Sequence, residues 1–291
     1  MPLPDPERQT FAAARAVDPA AVLARRLADA YAAWPVVRAV ALGGSRATGL
    51  AGPDSDLDLY VYAEAEPPRL ERAALITAQG GREAEVGQGP FEPGDEWADA
   101  ATGLGVDVMF RTPGFIEGEL DRVLVQHLAR TGYSTCLWHN VLTARPLFDR
   151  GGWFAALQAR AGAPYPEPLR RAVVARNLPL LASARSSFGH QLIRAAAGGD
   201  RVAVNHRTAA FLASAFDVVF ALERLPHPGE KRLLEHLRRA AGLDPERLDE
   251  LEELVGAALV AAGRPGPDVE RSAAALAGAL TARCRAEGLL P

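Results

Sequence analysis

The sequence predicts an α+β protein in two parts: an N-terminal domain over residues 1–151, with a small mixed sheet flanked by helices, and an all-α helical bundle over 152–291. Short apolar runs broken by glycine and polar turns, Val36 to Leu42, Leu57 to Tyr62 and Gly105 to Phe110, have the length and alternation of strands. From Gly152 onward apolar residues recur at helical spacing instead, as in Val202, Ala209, Leu212, Phe216, Val219 and Phe220. The change of period falls near Gly151-Gly152, which sets the expected boundary.

The elements follow in order. Phe11 to Val17 and Asp18 to Trp34 read as helices, the second with Asp18 as N-cap and Pro19 in its first turn. Its apolar face is expected to hold Val22, Leu23, Leu27 and Tyr31. A strand then ends at the turn Gly43-Gly44-Ser45, a loop covers Gly49 to Ser55, and a second strand carries Asp56 and Asp58. Glu66-Pro67 opens a helix to about Gln79, and Arg82 to Gly87 reads as a strand with one wet face. Gln88 to Gly103, rich in acids and glycine, is expected to be a loop, with Glu96 and Trp97 as an adjacent carboxylate and aromatic ring able to meet a cationic group. The strand around Asp107 follows, then a helix from Pro113 to about Thr131. Tyr133 to Phe148, containing Trp138 and His139, returns to the sheet edge. Five bundle helices fit the second part: 167–197, 200–224, 229–241, 245–262 and 268–287.

Composition narrows the function. With 291 residues, 48% of them hydrophobic, the chain can bury a sizeable core. A net charge of -4 argues against a nucleic-acid backbone as the main ligand, which calls for a basic patch. Cys136 and Cys284 stand far apart and outside metal-ligand spacing, as thiols of a reducing compartment do. The start MPLPDPERQ has no apolar signal region and no apolar run reaches membrane-spanning length, so the expected location is the cytoplasm, with no membrane partner.

Chemistry concentrates in Gly43-Gly44-Ser45-Arg46 and Asp56-Leu57-Asp58. Side chains two apart on a strand share a face, so Asp56 and Asp58 aim at one point while Leu57 and Leu59 fill the other side. Paired carboxylates raise each other's pKa unless a cation lies between them, and hard oxygen donors suit Mg²⁺. The glycines let backbone N–H groups approach an anion, and Ser45 sits at an expected helix start. Asp107, between Val106 and Val108, would be costly as an unpaired charge.

This ordered set, Gly44-Ser45, then Asp56-x-Asp58, then Asp107 in a later apolar strand, resembles the signature of the nucleotidyltransferase superfamily, which includes polymerase-beta-like enzymes and the aminoglycoside and lincosamide nucleotidyltransferases. The helical second half resembles the latter in outline. The resemblance implies Asp56, Asp58 and Asp107 as catalytic metal ligands, with Mg²⁺ and ATP or another NTP. Gly44, Ser45 and Arg46 would hold phosphates, and Glu96, with Asp95, would add to an acidic cleft facing a small-molecule acceptor. Lys231 joins the phosphate binders on internal evidence: of 32 basic residues it is the one lysine, and it is expected in the first turn of a helix. The implied activity is transfer of a nucleoside monophosphate to a hydroxyl of an antibiotic-like small molecule. The alternatives are a protein-modifying AMP transferase related to toxin–antitoxin systems and a non-catalytic nucleotide sensor.

Overall fold

The computed structural model describes residues 18–87, 92–182, 184–240, 242–264 and 266–290; the expected helix from Phe11 to Val17 and the start of the expected loop, 88–91, lie outside them. The first helix, α1 (Pro19–Ala32), begins as its cap dictates, with the Asp18 carboxylate accepting from the Ala20 N–H at 3.0 Å. Leu23, Leu27 and Tyr31 are buried, four residues apart, on one stripe. Val22, expected on that stripe, is 53% exposed because its position falls outside the i, i+4 row.

A mixed six-stranded sheet follows from β1 (Val37–Leu42), β2 (Leu57–Ala63), β3 (Gly81–Val86), β4 (Gly94–Asp99), β5 (Gly105–Arg111) and β6 (Arg145–Asp149), in the order β3-β4-β5-β2-β1-β6. The short α2 (Gly44–Thr48) links β1 to β2, and α3 (Arg69–Ala78) lies in the long connection from β2 to β5, the one parallel pair among the described residues. Leu57, Leu59, Val61, Val106 and Val108 pack into one core with α1. The other faces of β2 and β5 are thereby left to Asp58 and Asp107.

The expected loop over 88–103 contains β4. Acidic residues and glycine have low strand propensity, yet this strand pairs on both sides, with β3 and with β5. A side chain at Gly94 would place its Cβ 2.7 Å from the Val108 carbonyl oxygen, so glycine is what admits the close pairing. Asp95, fully buried, is neutralised by Arg72 at 2.5 Å.

The contacts divide the chain into two units: the residues up to Arg111 with Arg145–Gly151, and Thr112–Ala144 with Gly152 onward. This differs from the single boundary expected after residue 151. In the second unit α4 (Pro113–Leu124) and α5 (Cys136–Thr143) belong with α6 (Trp153–Ala161): Trp138 Nε1 donates to Ala161 O at 2.7 Å, and Gln158 donates to Val141 O and Ala144 O. Helix α4 stops at Leu124, seven residues before the expected Thr131; a left-handed His127 follows in the exit, which Arg122 ties down by donating to the carbonyls of Leu128 and Ser134.

The remaining helices are α7 (Glu167–Asn177), α8 (Phe188–Ala197), α9 (Arg201–Leu222), α10 (Leu233–Arg239), α11 (Pro245–Gly263) and α12 (Pro267–Ala286). The helix expected over 167–197 is two, broken at Leu178–Leu180, where Pro179 has no N–H to donate. The one expected over 229–241 is only α10, and α6 was not foreseen. Core residues Leu192, Phe211, Val218 and Leu276 join α8, α9 and α12, and Asp217 on α9 accepts from the Ser134 N–H and hydroxyl and from the Asn177 amide. No helix among the described residues is long and apolar enough to cross a membrane.

Candidate active site

The site forms where β1 gives way to the glycine turn. Gly43 N–H donates to Asp58 O at 2.9 Å, extending the β1–β2 pairing into the turn. Gly44 has φ +57°, and a Cβ there would fall 1.8 Å from Asp58 Oδ2; a Cβ on Gly43 would fall 2.4 Å from the Tyr60 ring. The turn therefore lies directly against the Asp58 carboxylate. On the neighbouring strand a Cβ at Gly105 would sit 2.3 Å from Asp56 Oδ1. Both carboxylates rest against bare backbone.

Register supplies the rest. Glu85 faces Glu96, Glu96 faces Asp107, and Asp107 faces Asp58, a row of four carboxylates crossing β3, β4, β5 and β2. Residues opposite each other on paired strands share a face, and like charges there repel. Burial first, then the charges of Asp58, Glu96, Asp56 and Glu92, push the Asp107 carboxyl up to about 6. Fold stability alone would not select such a row. An open groove of about 340 Å³ lies along the row from Glu85 to Asp107, lined by Asp56, Glu83, Glu85, Glu96 and Asp107. Glu83 and Glu85 were not singled out in the sequence; their placing every second residue on the wet face of a strand was the available signal.

Several expected members stand elsewhere. Trp97, next to Glu96 in a strand, points to the opposite face and is 5% exposed in the core, so the two do not form one recognition surface. Asp95 is likewise on the buried face with Arg72. Arg46 turns toward the loop before β2: its Nε donates to Ser55 O and Asp56 O at 3.1 Å each, and its Nη2 to Ser55 O at 2.5 Å. Ser45, half-buried, is the second residue of α2. In the second unit, Lys231 is exposed and precedes the first residue of α10 by two; the cap is Arg232, at φ 55°. The expected place in a first helical turn is thus not taken up. Trp138 is a core residue, and His139 stacks edge to face on His236, ring centroids 5.3 Å apart. Both cysteines are free thiols.

The donor set is all oxygen, which suits a hard divalent cation. Among the described residues, no three Asp, Glu, His or Cys side chains already close around a single point as a finished metal cage.

Residues 24–123 match the nucleotidyltransferase domain family, and residues 135–233 match a second family described as a domain of unknown function (DUF4037). The first match spans Gly44, Asp56, Asp58, Glu96 and Asp107, so residues 24–123 are similar to a nucleotidyltransferase domain. Among solved structures it is similar to a nucleotidyltransferase-like protein from Exiguobacterium sibiricum 255-15, at 13% identity and a TM-score of 0.43, covering 92% of this chain and 75% of that one. No curated protein matched.

Proposed function

We propose that the protein moves a nucleoside monophosphate, AMP from ATP being the expected case, onto a hydroxyl of a small cationic acceptor such as an aminoglycoside- or lincosamide-like compound, with Mg²⁺ at the carboxylates. The carrying observation is the in-register row Glu85, Glu96, Asp107 and Asp58, with Asp56 set against Gly105. The elevated Asp107 pKa marks negative charge that a cation would relieve, so the residues fit the ion.

Asp56 and Asp58 would hold the metal that accompanies the triphosphate, and Asp107 would join them on the acceptor side. Bound there, Mg²⁺ would neutralise phosphate charge and make the acceptor hydroxyl a better nucleophile. The chain's own residues do the rest. The turn at Gly44 and Ser45 lies directly against Asp58, so a phosphate held by its backbone N–H groups would lie beside the metal-holding carboxylates. Glu85 and Glu96 extend a negative field along the groove, which favours an acceptor carrying ammonium groups.

The test is a screen of ATP, GTP, CTP and UTP for Mg²⁺-dependent pyrophosphate release against aminoglycosides, lincosamides and proteins. Release with a cationic small molecule, abolished by chelator and by Asp58→Asn, is expected. Release only with a protein acceptor would instead establish AMP transfer to a protein, and triphosphate binding without release from any acceptor would count against catalysis.

A further inference from the structure

We propose that Arg145, acting through α2 and Arg46, is a positioning residue for the Asp56 carboxylate. Asp56 lies one residue before β2, whose pairing with β5 begins at Leu57 opposite Val106, so the sheet ladder does not itself fix its backbone. Two guanidinium forks in series do. Arg145, the first residue of the edge strand β6, stands in register with Leu42 at the end of β1, beside the glycine turn. Its Nε donates to Ala47 O at 3.1 Å and its Nη2 to Arg46 O at 2.9 Å, taking carbonyls of α2, a helix of five residues. Arg46 then bridges the carbonyls of Ser55 and Asp56. Each fork spans two consecutive carbonyls, a geometry that a planar guanidinium matches and an ammonium does not.

The Asp56 side chain, itself exposed, approaches the Gly105 backbone closely on one side. The forks hold the backbone from which this exposed carboxylate projects, and a displacement of about 1 Å at a catalytic group can reduce rate by as much as a hundredfold. The inference rests on the proposed role of Asp56 as a metal-holding carboxylate; the strap itself can be read without that role.

The experiment uses the full chain and compares Arg145→Ala and Arg145→Lys with Arg150→Ala. Arg150 is the control: it too donates to two backbone carbonyls, Val37 O and Ala32 O at 3.0 Å each, away from α2. Three quantities are measured: Mg²⁺ dependence of pyrophosphate release with ATP, amide hydrogen exchange over residues 50–57, and the thermal midpoint. Arg145→Ala should speed exchange over 50–57, lower kcat and raise the Mg²⁺ half-saturation about tenfold, as loss of charge-assisted hydrogen bonds predicts. The ATP KM at saturating Mg²⁺ should move less than roughly twofold. Lysine should recover part of the effect, and it serves as the folded comparison if the alanine variant is unstable. Arg150→Ala should lower the midpoint similarly without either local change. Equal effects of Arg145→Ala and Arg150→Ala on Mg²⁺ dependence and exchange would overturn the proposal. Faster exchange with an unchanged Mg²⁺ half-saturation would uphold the strap and remove Asp56 from the metal-holding set.

Discussion

Asp107 shows what a residue gives up for the site. Its neighbours raise its carboxyl to about 6, above the ordinary carboxylate value, so the folded state takes up this proton before the unfolded chain does. Stability from this group is therefore present at low pH and is lost as pH rises through about 6. Asp107→Asn should abolish turnover yet stabilise the fold at pH 8 by on the order of 1 kcal/mol, a figure reduced because the carboxylate is only half-buried; at pH 4 the gain should vanish. Denaturant titrations at the two pH values check this. Asp58→Asn, or millimolar Mg²⁺, should bring the Asp107 titration down when followed by carboxyl NMR. Lys231 is testable at the same scale. If its ammonium holds the β- or γ-phosphate, Lys231→Ala should weaken ATP binding by about 1.5–3 kcal/mol and leave AMP binding nearly unchanged. Calorimetry with both nucleotides decides it, and unchanged ATP affinity would return Lys231 to the solvent face.

Among the elements, β4 and α8 are defined by close approaches more than by propensity. A Cβ at Gly189 of α8 would lie 1.7 Å from Leu181 O, a backbone atom that cannot swing aside, so the helix packs there only as glycine. Gly189→Ala would ordinarily favour a helix. Here it should destabilise the second unit by about 2–4 kcal/mol through backbone displacement and overpacking, measured as a lower denaturation midpoint, whereas Gly256→Ala on α11, where a Cβ meets nothing within 4 Å, should be neutral or slightly stabilising. In β4 the alternation sends Asp95 and Trp97 inward and Glu96 outward, so one strand both stabilises the core and supplies the carboxylate row.

Across the whole molecule, opposing titrations shape the acid limb. Burial, with the nearby His139 and His236, lowers His227 to about 3, and burial with His236 lowers His139 to about 4. Their stabilisation is complete above the unfolded histidine value of about 6.5 and is lost as pH falls toward those folded values. Asp217, raised to about 6 chiefly by burial, works oppositely, as Asp107 does. His227 is fully buried and its Nδ1 accepts from the Gly229 N–H at 3.1 Å. His227→Asn should destabilise at pH 8 through lost packing, but the gap from the natural protein should narrow by about 2 kcal/mol at pH 4, where the unfolded natural chain gains a proton that the variant lacks. Urea denaturation at both pH values measures the difference; a constant gap would show that His227 is not held neutral.

The sequence by itself determined what depends on local period and local caps. Two-residue alternation set Asp58 on the face opposite Leu57 and Leu59, and Asp18-Pro19 started α1. It also distinguished a sheet-bearing half from a helical one. Only the tertiary structure decided which strands are neighbours, and with that the alignment of Glu85 and Glu96 beside Asp107. It also decided that Asp95 would be neutralised by Arg72, that Arg46 would hold the Asp56 backbone, and that 112–144 would pack with the helices. The physical reason is range. Caps and alternation act over a few residues, whereas register, ion pairing and close backbone approach join groups tens of residues apart, and a strand such as β4, with weak propensity of its own, is stabilised only when partners on both sides are in place.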